Sequence, residues 1–413
     1  MGDAARHRAD GAEEDCVHGP HAGAGPRPAP CLGLRIGLVC YPSQGGSGIV
    51  ATELARELAR RGHCAHVISY QPPFRLAGSP RHVLPNVAFH QVEVPTYPLF
   101  VYPPYTVALA NKIAEVARYE RLDLLHVHYA VPHAVSAALA RSMVAPVRLP
   151  VIATLHGTDV TQTGLDPGIR EAMTWSLQQC DAVTAVSDAL AALAREAFGL
   201  SEVRRIYNFI DPATMRRRPN AELRARFAGP DDAVLLHASN FRPLKNVGDA
   251  VRVFAAVSAE RSAVLLLCGD GPEAGAARHL ARELGVEDRV HFVGVEDDMA
   301  AMLSIADVFL LPSTFESFGL AALEAMACEV PVVCTDAGGL PEVVSDGETG
   351  FLCPVGDVGA MARAVLRCLE PGRLPQLRHH ARRLATRRFG AARIIPQVEA
   401  LYAEVMARRA AHA

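Results

Sequence analysis

No C-x-x-C pair occurs among the ten cysteines of this 413-residue chain, and several of them, such as Cys40, Cys268 and Cys334, stand inside apolar segments. That spacing argues against a zinc ribbon or a dithiol redox centre and fits buried thiols in a reducing cytosol, so a cytoplasmic location is expected. Nor does charge of one sign dominate. The formal net charge is −3, which provides no basic field for nucleic acid and no polybasic membrane anchor. Long apolar runs are missing too: stretches such as Ala263 to Cys268 fall far short of the ~20 residues that cross a bilayer, so no integral membrane association is expected. Residues 1–33 are rich in Gly, Ala, Pro, Arg and His without an apolar core, which excludes a secretory signal and reads as a disordered extension. No tandem repeat of solenoid type is present. Small-molecule substrates remain as the expected partners, with a homo-oligomer left open.

What is present is half apolar and 21% charged, the balance of a soluble globular protein long enough for two domains. From Leu34 onward, short β-branched or Leu-rich runs alternate with amphipathic stretches of helical period, which signals βαβ units on parallel sheets. Strands are predicted at 35–40, 65–69, 88–92, 124–127, 151–155, 182–185 and 203–207, and again at 233–237, 263–268, 290–293, 308–311 and 332–334. Helices are expected between most of them. The pattern lapses after Asn208 through Asp211, Pro212 and the run Arg216-Arg217-Arg218-Pro219. The predicted organisation is a 34–208 domain, a 209–231 linker, a 232–390 domain and a 391–413 helix lying across a domain surface. The basic stretch Arg378 to Arg388 reads as a solvated helix face. Two doubly wound sheets bind ligands outside the carboxyl ends of their strands, so two such edges facing each other make a cleft.

Several strand ends turn abruptly polar. Pro42-Ser43-Gln44-Gly45-Gly46-Ser47-Gly48 follows a strand and opens a helix, where a ligand can approach the backbone and a helix N-terminus favours negative charge. A tight turn without ligand would have the same look. The register Gly46-x-Gly48-x-x-Ala51 imitates a dinucleotide fingerprint, but the next strand ends Ser69-Tyr70-Gln71 without the carboxylate that a ribose requires, which disfavours a nicotinamide enzyme. His126-Val127-His128-Tyr129, with His133 beyond, places two imidazoles on one face. Polar residues at the cleft edge explain them better than zinc, because no cysteine or carboxylate joins them at ligand spacing. Thr154-Leu155-His156-Gly157-Thr158-Asp159 ends another strand in the same way.

In the second half, Ser239-Asn240-Phe241-Arg242-Pro243-Leu244-Lys245 brings two cations into a loop after a strand. Such a pair suits a diphosphate, since Arg binds in a fork and Lys supplies a point charge; a surface salt bridge is the plainer alternative. The most specific segment is Phe315-Glu316-Ser317-Phe318-Gly319-Leu320, followed by Glu324 inside the helix that Phe318 or Gly319 begins. Its two carboxylates flank the outward-pointing amides of a helix N-terminus. That arrangement fits a sugar nucleotide, with one Glu for sugar hydroxyls, the amides for the diphosphate and the other Glu for ribose.

These residues resemble the E-x7-E mark of the family-4 retaining glycosyltransferases of GT-B fold, and the resemblance runs from Leu34 to Arg409. The segments Cys40-Tyr41-Pro42-Ser43, Gly45-Gly46-Ser47-Gly48, Pro73-Phe74-Arg75-Leu76, His128-Tyr129 and Tyr207-Asn208-Phe209-Ile210-Asp211 are similar to a branch that glycosylates L-malate at the entry to bacillithiol biosynthesis. The resemblance implies two facing Rossmann-like domains, UDP-N-acetylglucosamine as donor, L-malate as acceptor, and neither metal nor cofactor. It implies that Glu316 meets the transferred sugar and Glu324 the ribose, while Phe318, Gly319 and Leu320 offer amides to the diphosphate. Arg242 and Lys245 would neutralise the leaving UDP, with Gly46 and Asn208 also on the donor side. Ser47, Tyr129 and Thr158 would bind malate, with His156 near the reacting sugar. Arg75 is added on physical grounds, because a dicarboxylate calls for a cation. One departure stands out. Glu329 follows Cys328 where the family commonly has Gly, so a left-handed helix end would be strained there. A relative with another acceptor (an inositol phosphate or a lipid-linked sugar) and a non-catalytic sugar-nucleotide sensor are the competing readings.

Overall fold

The computed structural model describes residues 33–42, 46–73 and 84–411. The predicted disordered extension and Arg75 lie outside them, Gly33 excepted. Among the described residues, thirteen strands form two parallel sheets. The first contains β1 (Arg35–Val39), β2 (Cys64–Ser69), β3 (Val87–Gln91), β4 (Leu124–His128), β5 (Val151–Leu155), β6 (Ala182–Ala185) and β7 (Arg204–Arg205), in the order β3-β2-β1-β4-β5-β6-β7. The second contains β8 (Ala233–Ala238), β9 (Ala263–Cys268), β10 (Val290–Gly294), β11 (Val308–Leu311), β12 (Val332–Thr335) and β13 (Gly350–Cys353), in the order β10-β9-β8-β11-β12-β13. In both, the strand order reverses beside the first strand. That reversal opens a crevice between β1 and β4, and another between β8 and β11, at the carboxyl ends of the strands.

Composition explains why these runs are central strands. Leu124 to His128, Val151 to Leu155 and Ala263 to Cys268 are buried on both faces, as sheets covered by helices on each side require. Helix Ser47–Arg60 buries Val50, Ala51, Leu54, Ala55 and Leu58 at helical spacing, and helix Val247–Ser258 does the same with Ala250, Val251, Phe254 and Val257.

Some elements depart from the sequence expectation. The run 203–207 pairs only at Arg204–Arg205, because the chain there already turns toward the second domain. Helix Pro167–Gln178, begun by the side chain of Asp166, and strand β13 carried weak periodicity and were not anticipated. The basic stretch belongs to helix Arg373–Phe389, and its face is not simply solvated. Arg382 donates to the carbonyls of Met215, Ala327 and Pro212 at 2.7, 2.6 and 3.0 Å, and Arg378 pairs with Asp307 at 2.7 Å. Arg382 thus lies against the chain that joins the two domains. Glu329 has φ 62°, so the helix Leu320–Ala327 ends in a left-handed residue with a side chain where glycine would carry no steric cost.

The chain passes between the domains twice. Ile210 leaves the first domain and Gly390 returns to it, and the two strands of backbone touch: Ile210 N donates to Phe389 O at 3.0 Å and Ala391 N to Ile210 O at 2.9 Å. Helix Ala391–Ala411 then packs on the first domain, with Glu399 bonded to Arg61 and fully buried Tyr402 bonded to His126.

Candidate functional site

A cleft of about 1450 Å³ opens between the two sheets, lined by the loops that leave β1, β4, β5, β8, β9 and β11. On the second-domain wall, Lys245 Nζ lies 2.6 Å from Glu316 Oε1, which also accepts a 2.8 Å bond from Ser313. The two residues assigned from sequence to the sugar and to the diphosphate are thus partners across two loops. Arg242 is exposed at the same wall. Gly319 has φ 94° and precedes helix Leu320–Ala327, whose first-turn amides have no intrahelical acceptor. Gly319, Leu320, Ala321 and Glu324 line the cleft, and Phe318 is buried at its edge.

That wall depends on close backbone packing. A Cβ on Gly338 would fall 2.1 Å from the Glu316 carbonyl, and one on Gly269 would fall 1.8 Å from the Ser239 carbonyl. Both glycines have positive φ, so only glycine lets these loops stack. Below them, buried His237 donates from Nδ1 to the Leu310 carbonyl at 2.9 Å and meets Ser239 Oγ with Nε2 at 2.8 Å. Burial pushes its pKa down to about 4, so the ring is a neutral brace for the cation loop.

On the first-domain wall, the Tyr129 hydroxyl lies 2.7 Å from Thr158 Oγ1 and 3.2 Å from Thr163 Oγ1. Tyr129 has φ 79°, a left-handed conformation whose strain is held by its N–H bond to the Thr154 carbonyl at 2.9 Å. Ser47 opens helix Ser47–Arg60 after Gly46, and both line the cleft. His156 lines it as well, and its Nε2 is 3.0 Å from His128 Nδ1. Asn208 lies buried where the first domain ends.

The histidines expected at the cleft edge, His126, His128 and His133, do not line it; they are buried beneath it as a stack of rings, and no metal-ligand set forms there among the described residues. His126 meets Tyr402 at 2.7 Å and Thr154 at 2.6 Å, and His133 donates to the His128 carbonyl at 2.6 Å. Burial is the main cause that lowers their pKa values, to about 3 for His126 and His156 and about 4 for His133. One group of potential metal ligands stands apart among the described residues: His66, His90 and Glu120, none of which lines the cleft. The two rings there satisfy each other, Nδ1 to Nε2 at 3.0 Å.

Residues 44–214 match the model of Glycosyltransferase Family 4 and residues 220–388 that of Glycosyl transferases group 1. The chain is 44% identical to N-acetyl-alpha-D-glucosaminyl L-malate synthase of Bacillus anthracis, over 90% of its own length and 97% of that protein. The chain belongs to the family-4 glycosyltransferases. It is also 29% identical to D-inositol 3-phosphate glycosyltransferase of Acidothermus cellulolyticus, covering 79% of each. Among solved structures, Anabaena HepE in complex with UDP and glucose superposes with a TM-score of 0.77 at 23% identity, covering 90% of this chain and all of that one. The fold of this family-4 glycosyltransferase is GT-B.

Three site features were not singled out from sequence. Asp159, fully buried, accepts the amides of Gly157 at 2.7 Å, Ala130 at 3.1 Å and His156 at 3.1 Å, and so ties the loops after β4 and β5 together. Desolvation raises its pKa to about 6 against the pull of those amides. The carboxylate of Glu342, from the second domain, accepts the Asp188 and Ala189 amides of a first-domain helix at 2.9 Å each, as an anion at a helix N-terminus should. Ser187 Oγ donates to the Ser317 carbonyl at 2.5 Å. A sequence signal existed only for Asp159, which stands at the end of the polar run after β5.

Proposed function

We propose that this family-4 glycosyltransferase moves N-acetylglucosamine from UDP-N-acetylglucosamine to the hydroxyl of L-malate with retention, the first step of bacillithiol biosynthesis in the cytoplasm. The observation that carries the proposal is the pairing of unlike walls across one cleft. Cations and helix amides face the donor side, at Arg242, Lys245 and Leu320, and hydroxyls gather on the acceptor side, at Ser47, Tyr129 and Thr158. The likeness to the malate synthase over nearly its whole length supports the choice of acceptor.

In this reading the malate carboxylates accept hydrogen bonds from the hydroxyls of Ser47, Tyr129 and Thr158 and from the orphan amides at the start of helix Ser47–Arg60, and the Arg75 cation offsets their charge. Glu316 holds the sugar and Glu324 the ribose. The malate hydroxyl oxygen bonds to the anomeric carbon as the carbon–oxygen bond to the β-phosphate breaks on the same face. The hydroxyl proton passes to the departing phosphate. Arg242, Lys245 and the amides of the Leu320 helix offset the charge that grows on UDP, so catalysis is positioning and electrostatics with no metal required.

Mass spectrometry of the product from UDP-N-acetylglucosamine and L-malate, with its anomeric configuration read by NMR, tests the proposal. The expected product is the α-linked malate glycoside, formed equally in EDTA. Transfer to an inositol phosphate with indifference to malate would overturn the acceptor. Donor binding without any product would favour a sensor, and activity lost in EDTA and restored by Mn²⁺ would overturn metal independence.

A further inference from the structure

We infer that His128 is a positioning residue that fixes the tautomer of His156, so that His156 presents Nδ1–H to the substrate and acts toward it only as a hydrogen-bond donor. The inference deepens the function proposed above and rests on it for its kinetic consequence.

The two residues end neighbouring strands, β4 and β5, and their rings meet with centroids 5.3 Å apart and Nδ1 of His128 3.0 Å from Nε2 of His156. One proton lies between these nitrogens, and it starts on one ring or the other. The far side of His128 decides which. Its Nε2 is buried and has no protein partner among the described residues. If His156 donated, the His128 proton would sit on Nε2 as a buried orphan N–H, which is among the rarest and most costly groups in a folded interior. If His128 donates from Nδ1, Nε2 keeps only a bare lone pair. The second arrangement is the cheaper one.

The surrounding rings obey the same economy. His133 must carry its proton on Nδ1, because its partner is the His128 carbonyl, and this leaves its buried Nε2 as a lone pair too. The buried Tyr402 hydroxyl finds an acceptor in His126 Nδ1, so that ring donates from Nε2 to Thr154. Each ring thus holds a single proton. Burial keeps the cluster neutral, since His126 and His156 are pushed down to about 3.

His156 is also fixed from its main chain, because its N–H is bonded to Asp159. With Nε2 accepting from His128, its proton resides on Nδ1, which has no partner among the described residues, and the residue lines the cleft. The complement to that N–H is an oxygen lone pair on the donor, from a sugar hydroxyl or the diphosphate.

Long-range ¹H–¹⁵N spectra of the full chain labelled in histidine, with His156 assigned through His156→Gln, test the tautomer directly. Nδ1–H with bare Nε2 is expected, and an Nε2–H ring would overturn the inference. Kinetics add a second readout. His128→Asn keeps an N–H close to the Nδ1 position and should hold kcat within about threefold, whereas His128→Leu should lower kcat on the order of 100-fold with little change in the donor KM. Equal losses in both variants, or an unchanged kcat in His128→Leu, would overturn the inference. If the native chain makes no malate product, the proposed function fails, and the spectra still decide the tautomer.

Discussion

In the second domain the cleft wall is backbone stacked on backbone, with Gly269 and Gly338 letting loops approach and one ion pair, Lys245–Glu316, set among them. In the first domain the wall is side chains: Tyr129 against Thr158, His156 against His128, and Asp159 gathering amides. The first six strands of each sheet follow the same order, and the first sheet adds β7 at its edge. A diphosphate recurs across many donors, and amides and cations suit it. An acceptor varies in shape and is met by hydroxyls and rings whose exchange changes specificity without disturbing the sheet.

Acid should separate the domains most. In the first domain His66, His90, His126, His128, His133 and His156 have lowered pKa values, chiefly through burial, and in the second His237 does. A ring kept neutral in the fold stabilises it fully above pH ~6.5, and that contribution is lost as the pH falls below that value. Asp159, raised to about 6, acts in the opposite sense and offsets part of this. Hydrogen exchange at pH 7 and pH 5 should show β4 and β5 losing protection before β8 and β11; simultaneous loss would break the contrast.

Next in size is Lys245→Met, expected to lower kcat by about 10²–10³-fold by removing charge from the departing diphosphate. A loss confined to the acceptor KM would contradict the division of labour. A smaller effect is expected at Gly157→Ala, where φ is 137° and a Cβ would fall 1.8 Å from Ser317 Oγ. Thermal unfolding should report a loss of about 1–3 kcal/mol, partly recovered by adding Ser317→Gly. Smallest is Tyr129→Phe, which should raise the malate KM about tenfold and leave the donor KM unchanged.

Much of the second-domain wall was legible because its residues are contiguous. Glu316, Gly319 and Glu324 announce a loop, a helix start and two carboxylates in one short segment, and Arg242 with Lys245 falls after a recognisable strand. The first-domain wall is assembled from the ends of β1, β4 and β5, so a role for Ser47, Tyr129 and Thr158 could be read only through family likeness. The His126–Tyr402 bond and the Glu342 cap join residues far apart in sequence, and no local pattern announces such contacts. Arg382 was misread for the same reason. A run of arginines looks solvated until the carbonyls of Met215, Ala327 and Pro212 arrive beside it.

The stitched crossing at Ile210 and Gly390 has a mechanical meaning. A single tether would leave one domain free to swivel and twist against the other, but two tethers bonded at one place act as a pinned joint. Twisting would shear those backbone bonds, whereas bending along the line they define would not. Any opening of the cleft would then follow one arc, and Ser317, which lies against Gly157 across the cleft, would return to the same place on closing. Orientation, which a freely jointed pair would have to search for in each turnover, is written into the hinge.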